Sequence, residues 1–154
     1  MRTAIITIST SVARGENDDV SGPALAAAAE QAGAQVVATE VVSDDRDLIE
    51  ERLRHHVAAG CSFVFTTGGT GFTADDVTPE ATRAVIERDA PGFAEAMRAE
   101  ARLYTPHGIL TRGLSGLAGR TLIVNFPGNP KAIDQLFGVL APTLAHVDAT
   151  LHRE

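Results

Sequence analysis

A short glycine-rich segment has the residue types and spacing that most directly suggest chemistry. Residues 66–71 read TTGGTG, and they follow an apolar stretch at residues 61–65 that predicts a buried strand. Glycine lacks a Cβ, so it adopts positive φ angles and lets backbone N–H groups approach an anion closely. Thr78 and Pro79 then predict the N-cap and first residue of a helix, whose N-terminus attracts phosphate. The segment predicts a phosphate-binding loop where a strand ends, with a plain tight turn as the alternative.

Several commoner catalytic motifs are absent from the sequence. The glycine segment has no Lys-Ser/Thr pair after its second glycine and lacks the three-glycine dinucleotide spacing, which excludes a P-loop and a Rossmann fingerprint. Ser9, Ser11 and Ser21 have no nucleophile-elbow context, which argues against a hydrolase triad. The five histidines show no zinc-ligand spacing. Cys61, the one cysteine, opens an apolar strand, so we expect an inert buried thiol rather than a nucleophile.

Two aspartates, Asp44 and Asp76, each end a loop at the same predicted edge of the sheet. Residue statistics favour Asp44 as a helix N-cap, and a place in a ligand site is the alternative. Asp76 is harder to explain as a cap, because Thr78 already fills that position. Asp75 and Asp76 also lie beside the predicted phosphate loop, where carboxylates repel phosphate. A Mg²⁺ ion bound by one or two carboxylates and the phosphates would remove this conflict.

A second loop follows the apolar strand at residues 121–126 and contains Pro127, Gly128, Asn129 and Pro130. Because parallel strands end at the same edge of a sheet, we expect this loop and the glycine segment to face each other across a crevice. Lys131 falls in the first turn of the next helix, where the helix dipole disfavours a cation unless an anion binds there too. A solvated lysine is the alternative interpretation.

Hydrophobic patterning predicts alternating strands and helices. Strands are expected at residues 3–9, 35–42, 61–65 and 121–126, with a short hairpin leading into the last one. Helices are expected at residues 21–32, 44–60, 79–89 and 93–104, the last serving core packing or subunit contact, and the C-terminal helix is expected to kink at Pro142. This order predicts an α/β fold, a three-layer α/β/α sandwich on a mainly parallel sheet, with residues 1–154 as a single domain.

Composition places the chain among ordinary soluble globular proteins. It has 154 residues, of which 44% are hydrophobic and 21% charged, enough for one well-packed core. The net charge of -7 argues against nucleic-acid binding, which calls for a basic face. No apolar run approaches the length that spans a membrane, and the first nine residues are too short and too β-like for a signal peptide. We therefore expect a cytoplasmic protein with no membrane or nucleic-acid partner.

Several separated motifs together resemble the MoaB/Mog family of molybdenum cofactor biosynthesis proteins. They are GGTG at residues 68–71, DVTPEA at 76–81, PGF at 91–93 and NFPGNP at 125–130, in the family's order along essentially the whole chain. The resemblance implies a molybdopterin adenylyltransferase, which binds molybdopterin and Mg-ATP, forms adenylyl-molybdopterin and releases pyrophosphate. It also implies a homotrimer or homohexamer, with a molybdenum-insertion protein as a further candidate partner.

The resemblance assigns roles to individual residues. Asp44 and Asp76 match the family's two functionally essential aspartates, so it implies that they are catalytic, organising Mg²⁺ or hydrogen-bonding the pterin and the nucleotide. Lys131 and the loop amides would hold the phosphates. The implied ligand-binding residues are Ser9, Asp19, Ser21, Gly22, Thr67, Gly68, Gly69, Thr70, Gly71, Thr78, Pro127, Gly128, Asn129, Pro130 and Lys131.

The chain departs from the family pattern after its first strand. Adenylyltransferases of the family usually carry Ser-x-Ser-Asp-Arg there, whereas this chain reads Ser9-Thr10-Ser11 without the Asp-Arg pair. Arg14 is the candidate replacement for the lost cation. Residues 14–22 look more like the MoaB branch, some of whose members lack demonstrable adenylyl transfer. The alternative function is therefore a non-catalytic molybdopterin-binding or assembly protein of the same fold.

Overall fold

A six-stranded sheet forms the centre of the computed structural model, which describes residues 1–153. The strand order is β2-β1-β3-β6-β5-β4. Strands β2, β1, β3 and β6 are parallel, and β5 runs antiparallel to both of its neighbours. The strands are β1 (Arg2–Ile8), β2 (Gln35–Val42), β3 (Phe63–Thr67), β4 (Arg88–Asp89), β5 (Ser115–Ala118) and β6 (Thr121–Phe126).

Helices cover both faces of this sheet. They are α1 (Thr10–Ala13), α2 (Ser21–Gln31), α3 (Arg46–Ala58), α4 (Thr78–Val85), α5 (Gly92–Ala101), α6 (Pro130–Leu140) and α7 (Leu144–Leu151), with 3₁₀ helices at Pro106–Leu110 and Ala141–Thr143. Within residues 1–153, no helix has the length and apolarity to cross a membrane. The expected α/β/α sandwich on a mainly parallel sheet is confirmed.

The two hydrophobic cores follow from the alternation of side chains along each strand. In β3, Phe63 and Phe65 face the core that is covered by α2, α5 and α6, whereas Val64 faces the core that is covered by α3 and α4. Ile123 of β6 likewise shares the core of Val64. Since central parallel strands are buried on both faces, they read in the sequence as continuous apolar runs.

Most predicted elements are present, but several boundaries differ. The strand expected at residues 61–65 is β3 at Phe63–Thr67, so Cys61 precedes it. The helix expected to reach residue 89 ends at Val85, and the chain then forms the short strand β4. The expected kink at Pro142 is a 3₁₀ turn between α6 and α7. In the segment at residues 93–104, Met97 is buried whereas Tyr104 is 56% exposed, so the start of the segment packs into the core and its end does not.

Candidate functional site

Four loops meet at one edge of the sheet, as the parallel strand order requires. The last residues of the strands lie side by side, because Ile8 pairs with Val42, Thr7 with Thr67, and Thr67 with Phe126. The loops that follow β1, β2, β3 and β6 therefore leave the sheet together. They carry Thr10, Asp44, the glycine segment and the Pro127 loop, respectively.

The glycine segment and the Pro127 loop touch each other. Thr67 donates from Oγ1 to the Pro127 carbonyl at 2.9 Å, and Gly68 donates from its backbone N to the Phe126 carbonyl at 3.1 Å. A Cβ on Gly128 would lie 3.3 Å from the Gly68 Cα. Gly68 has φ +99°, and a Cβ there would lie 2.3 Å from the Ile8 carbonyl oxygen. Only glycine fits this position without moving the backbone.

Thr78 supports the glycine segment instead of capping α4. The predicted N-cap role is wrong, because Val77 is the N-cap and Thr78 is the first helical residue. The buried Thr78 donates from Oγ1 to the Gly68 carbonyl at 2.9 Å and from its backbone N to the Gly69 carbonyl at 3.1 Å. The reason is that buried loop carbonyls need donors, and the first turn of a helix has N–H groups to spare.

Three backbone N–H groups of the glycine segment have no protein partner among the described residues. Gly69, Thr70 and Gly71 donate to no acceptor within residues 1–153, and the same is true of Gly128 and Asn129 in the neighbouring loop. Both loops thus keep N–H donors available beside the start of a helix. Such an arrangement suits phosphate groups, which accept hydrogen bonds from consecutive amides.

Asp44 points toward the first loop rather than capping α3. Its Oδ2 accepts hydrogen bonds from the Thr10 N at 2.9 Å and the Thr10 Oγ1 at 2.8 Å. The cap is Asp45, whose Oδ1 accepts from the Leu48 N at 3.0 Å, so the N-cap interpretation of Asp44 is wrong by one residue. The Oδ1 of Asp44 lies 3.3 Å from where a Gly69 Cβ would stand, and it accepts no hydrogen bond within residues 1–153.

Asp76 lies at the other end of the glycine segment. Its Oδ2 accepts from the Thr73 N at 2.9 Å and the Thr73 Oγ1 at 2.8 Å, and it stands 2.7 Å from where a Gly71 Cβ would lie. Its Oδ1, like that of Asp44, has no hydrogen-bond partner among the described residues. Asp75 is exposed.

The acidic side chains by themselves do not form a metal cage. No cluster of three or more His, Cys, Asp or Glu side chains with the geometry of a metal site occurs within residues 1–153. One available oxygen each on Asp44 and Asp76 still suits Mg²⁺, which takes one or two protein carboxylates and completes its shell with phosphates and water. The donor set therefore fits a metal that arrives with a phosphorylated ligand.

A cavity of about 330 Å³ opens between the first loop and the two glycine-containing loops. Asp19 holds one wall in place, since it accepts from the Thr7 Oγ1 at 2.8 Å and from the Gly22 N at 3.0 Å. Val12 reaches the cavity, whereas the exposed Arg14 does not, so the structure does not support Arg14 as a replacement cation. The cavity is lined by predicted residues from both sides: Ser9, Asp19, Ser21, Thr67, Gly68, Gly128 and Pro130.

Lys131 lies on the other side of the Pro127 loop, at a second cavity of about 340 Å³. Asn129 caps α6 there, because its Oδ1 accepts from the Lys131 N at 3.1 Å. The Lys131 side chain is exposed. Tyr104 and Thr111 line the same cavity. The Pro127 loop thus separates two cavities that each have room for part of a larger ligand.

Comparisons with known proteins agree with this fold. Residues 4–146 match the family described as "Probable molybdopterin binding domain". The crystal structure of the molybdopterin biosynthesis enzyme MoaB from Thermus thermophilus superposes with a TM-score of 0.91 at 37% identity, covering 97% of this chain and 95% of that one. The chain belongs to the MoaB/Mog family of molybdenum cofactor biosynthesis proteins.

Curated MoaB/Mog relatives extend beyond the matched region. The molybdopterin adenylyltransferase of Helicobacter pylori is 42% identical over 108 residues, which are 70% of this chain and 61% of that protein. The molybdenum cofactor synthesis protein cinnamon of Drosophila melanogaster is 37% identical over 145 residues, which are 92% of this chain and 24% of that protein. The match with these two relatives thus covers less than two thirds of their length.

The residue that sequence analysis of this MoaB/Mog chain missed is Arg112. It lies in the irregular stretch before β5, where no motif or periodicity marks it. Its guanidinium group donates to the carbonyls of Gly71 and Asp76 and to the carboxylate of Glu80. The hydrogen bond from Arg112 lowers the pKa of Glu80, and the one to Glu80 raises the pKa of Arg112, so each group holds the other in its charged form.

Proposed function

We propose that this protein transfers the adenylyl group of Mg-ATP to molybdopterin and releases pyrophosphate. The observation that carries the proposal is the set of unpaired N–H groups at Gly69, Thr70 and Gly71 beside the available carboxylate oxygens of Asp44 and Asp76. Amides suit phosphates, and carboxylates suit the Mg²⁺ that accompanies them. The names of adenylyltransferase relatives support the same reaction.

In this reaction an oxygen of the terminal phosphate of molybdopterin attacks the α-phosphorus of ATP. The bond from the α-phosphorus to the bridging oxygen breaks, and pyrophosphate leaves with that electron pair. The attacking phosphate is largely ionised near neutral pH, so the protein needs no general base. The loop amides and Lys131 would orient the phosphates, and Asp44 and Asp76 would hold Mg²⁺, which would neutralise the developing charge.

We infer that the two cavities on either side of the Pro127 loop would each hold part of one substrate. A phosphate at the unpaired amides of Gly128 and Asn129 would lie between both cavities, because Gly128 lines one and Asn129 the other. The reacting phosphates can therefore meet at the amides while the rest of each molecule lies on its own side. Holding both reactants in this way is the main source of acceleration expected for a reaction of this class.

The test is release of pyrophosphate by the purified protein given molybdopterin, ATP and Mg²⁺. We expect release that requires molybdopterin and falls by about 100-fold or more in Asp76→Asn, because the variant keeps the shape of the side chain and loses the charge that holds Mg²⁺. Asp75→Asn is the matched control, since Asp75 is exposed. Full activity in Asp76→Asn would contradict the role given to this residue.

A non-catalytic molybdopterin-binding protein is the second candidate. It is favoured by Thr10, whose two hydrogen bonds occupy one oxygen of Asp44 in this chain. Thermal melting separates the two functions, since a ligand that binds the folded state raises its stability. A shift with Mg-ATP supports the nucleotide site, whereas a shift with molybdopterin alone, without pyrophosphate release, supports the binding protein.

The assembly and cellular setting follow from the same resemblance. We propose a homotrimer or homohexamer that acts in the cytoplasm and passes its product to a molybdenum-insertion protein. Exposed apolar side chains at Leu103, Tyr104 and Ile109 supply surface for contacts of this kind. Analytical ultracentrifugation of the purified protein measures the oligomeric state, and a monomer at micromolar concentration would contradict this part of the proposal.

A further inference from the structure

We propose that Arg112 is a positioning residue that holds the segment at residues 71–76, and with it the Asp76 carboxylate, against the start of α4. This inference rests on the proposed function only for the role of the Asp76 carboxylate, which is to bind Mg²⁺. The attachment of the segment is a property of the ligand-free protein and is testable without any substrate.

The hydrogen bonds of the segment show how completely it depends on Arg112. Arg112 donates from Nε to the Gly71 carbonyl at 2.8 Å and from Nη2 to the Asp76 carbonyl at 2.7 Å. These are the only hydrogen bonds that join residues 71–76 to the rest of the described chain. The other bonds of the segment are internal and link Thr73 with Asp76. One side chain therefore ties down both ends of the segment.

Burial adds little to this attachment. Residues 72–75 are exposed, and the Phe72 side chain is 69% exposed. Glycine at position 71 contributes no side chain that packs. A segment with few apolar contacts and few hydrogen bonds to its surroundings opens at low free-energy cost. Without Arg112, the internal bonds between Thr73 and Asp76 would preserve the shape of the turn but not its position against the start of α4.

Arg112 is itself held firmly. Its backbone N donates to the Thr70 carbonyl at 2.8 Å, and the preceding Thr111 donates from Oγ1 to the Thr70 Oγ1 at 3.1 Å. Glu80 of α4 binds Nη1 of the guanidinium group. On the side of β5, the Leu114 N donates to the Asn125 Oδ1 at 3.0 Å. The guanidinium group is thus held by α4, and the backbone two residues further on is held by the central strand β6.

The geometry calls for arginine rather than any cation. The three acceptors Gly71, Asp76 and Glu80 bind three different nitrogens of one planar group. Lysine has the same charge but a single ammonium on a flexible stem, which cannot reproduce this fork. Arg112→Lys therefore keeps the charge next to Glu80 and loses the simultaneous hold on both carbonyls.

The first experiment is limited proteolysis of the ligand-free protein with chymotrypsin, followed by mass spectrometry. We expect cleavage after Phe72 to be about tenfold faster in Arg112→Gln and Arg112→Lys, because the segment opens more often. Cleavage after Tyr104, to which Arg112 donates no hydrogen bond, is the internal control. Arg83→Gln is the matched variant, since Arg83 also lies on the surface and pairs with Asp89 without touching the segment.

Two outcomes of the proteolysis would overturn the inference. Unchanged cleavage after Phe72 in both Arg112 variants would show that the segment is held by something else. An equal rise in cleavage after Phe72 and Tyr104 would show that Arg112 stabilises the whole fold and not this segment. Arg112→Lys keeps the positive charge and is the milder substitution. It therefore tests the attachment of the segment even if Arg112→Gln fails to fold.

The second experiment measures the Mg²⁺ dependence of pyrophosphate release. If Arg112 positions Asp76, the Mg²⁺ concentration at half-maximal rate rises by about tenfold or more in Arg112→Lys, while KM for molybdopterin changes by less than about threefold. An unchanged Mg²⁺ dependence in an active enzyme would refute the positioning role. Absence of release by the wild-type protein would refute the adenylyltransferase proposal, and the proteolysis would still decide on the attachment.

Discussion

At the level of single residues, the site depends on glycines at positions where a Cβ atom would clash with neighbouring atoms. Gly68 combines a positive φ with a place directly against the Ile8 carbonyl, and Gly69 stands where a Cβ would meet the Thr78 hydroxyl. The first constraint comes from the end of β1 and the second from the start of α4, both of which pack against the loop after β3. The same closeness leaves the loop amides next to Asp44, so the packing that demands glycine also shapes the anion site.

Gly68→Ala tests this packing, with Gly60→Ala as its control. Gly60 also has positive φ, but a Cβ there would meet nothing within 4 Å. We expect Gly60→Ala to lower the free energy of unfolding by about 1–2 kcal/mol, the cost of the left-handed conformation alone. Gly68→Ala should lower the free energy of unfolding by clearly more than Gly60→Ala does, since its Cβ also overlaps the backbone of Ile8. Equal losses in the free energy of unfolding, measured with urea, would show that β1 shifts to accommodate the Cβ and that the overlap does not destabilise the protein.

At the level of secondary-structure elements, the adjacent residues Asp44 and Asp45 have different roles at the start of α3. Asp45 caps the helix, and Asp44 bonds to Thr10 across the sheet edge. Sequence statistics identify a cap near this point but do not say which of two adjacent aspartates provides it. The choice depends on where β2 ends relative to β1, which is a tertiary property.

Asp45→Ala and Asp44→Ala should therefore have different effects. We expect Asp45→Ala to destabilise the protein by about 0.5–2 kcal/mol, as loss of a cap does, with Mg-ATP binding retained. Asp44→Ala should abolish the melting shift caused by Mg-ATP, because it removes a proposed Mg²⁺ ligand next to Gly69. Melting curves with and without nucleotide give both quantities, and the reverse pattern would restore Asp44 as the cap.

Other elements are joined by Asn125 at the end of β6. Its amide nitrogen donates to Thr66 of β3 and to Thr82 of α4 at 3.0 Å each, while its oxygen accepts from Leu114. The residue is buried, and every polar atom of its side chain has a partner. Asn125 thus links the strands that carry both glycine-containing loops to the chain that carries Arg112, which explains physically why an amide stands in an apolar strand.

At the scale of the whole molecule, Cys61 reports on global opening. It is 2% exposed, and burial raises its pKa above the ordinary value, so the reactive thiolate is rare at neutral pH. We expect labelling by a thiol reagent at pH 7 to follow the rate of global unfolding and to be slow without denaturant. Fast labelling under native conditions would mean that the chain just before β3 opens locally, which the burial of Cys61 argues against.

Local patterns in the sequence determined much of this protein. Apolar runs marked the central strands, glycine and proline marked the loops after β3 and β6, and the order of elements implied that both loops share one edge. These features are predictable because each depends on residues close together in the chain. Thr78 and Asp44 had correct positions but wrong local roles, since caps were inferred from residue type alone.

The contacts between residues far apart in the chain depend on tertiary packing. Thr10 bonds to Asp44, Thr78 supports Gly68, and Arg112 holds the carbonyls of residues 71 and 76. A sequence motif cannot show these pairs, because a hydrogen bond between residues 34 or 41 positions apart leaves no periodic trace. The sequence alone therefore determined the fold and the loops of the site, whereas the packing of the sheet and α4 decided which side chains hold those loops in place.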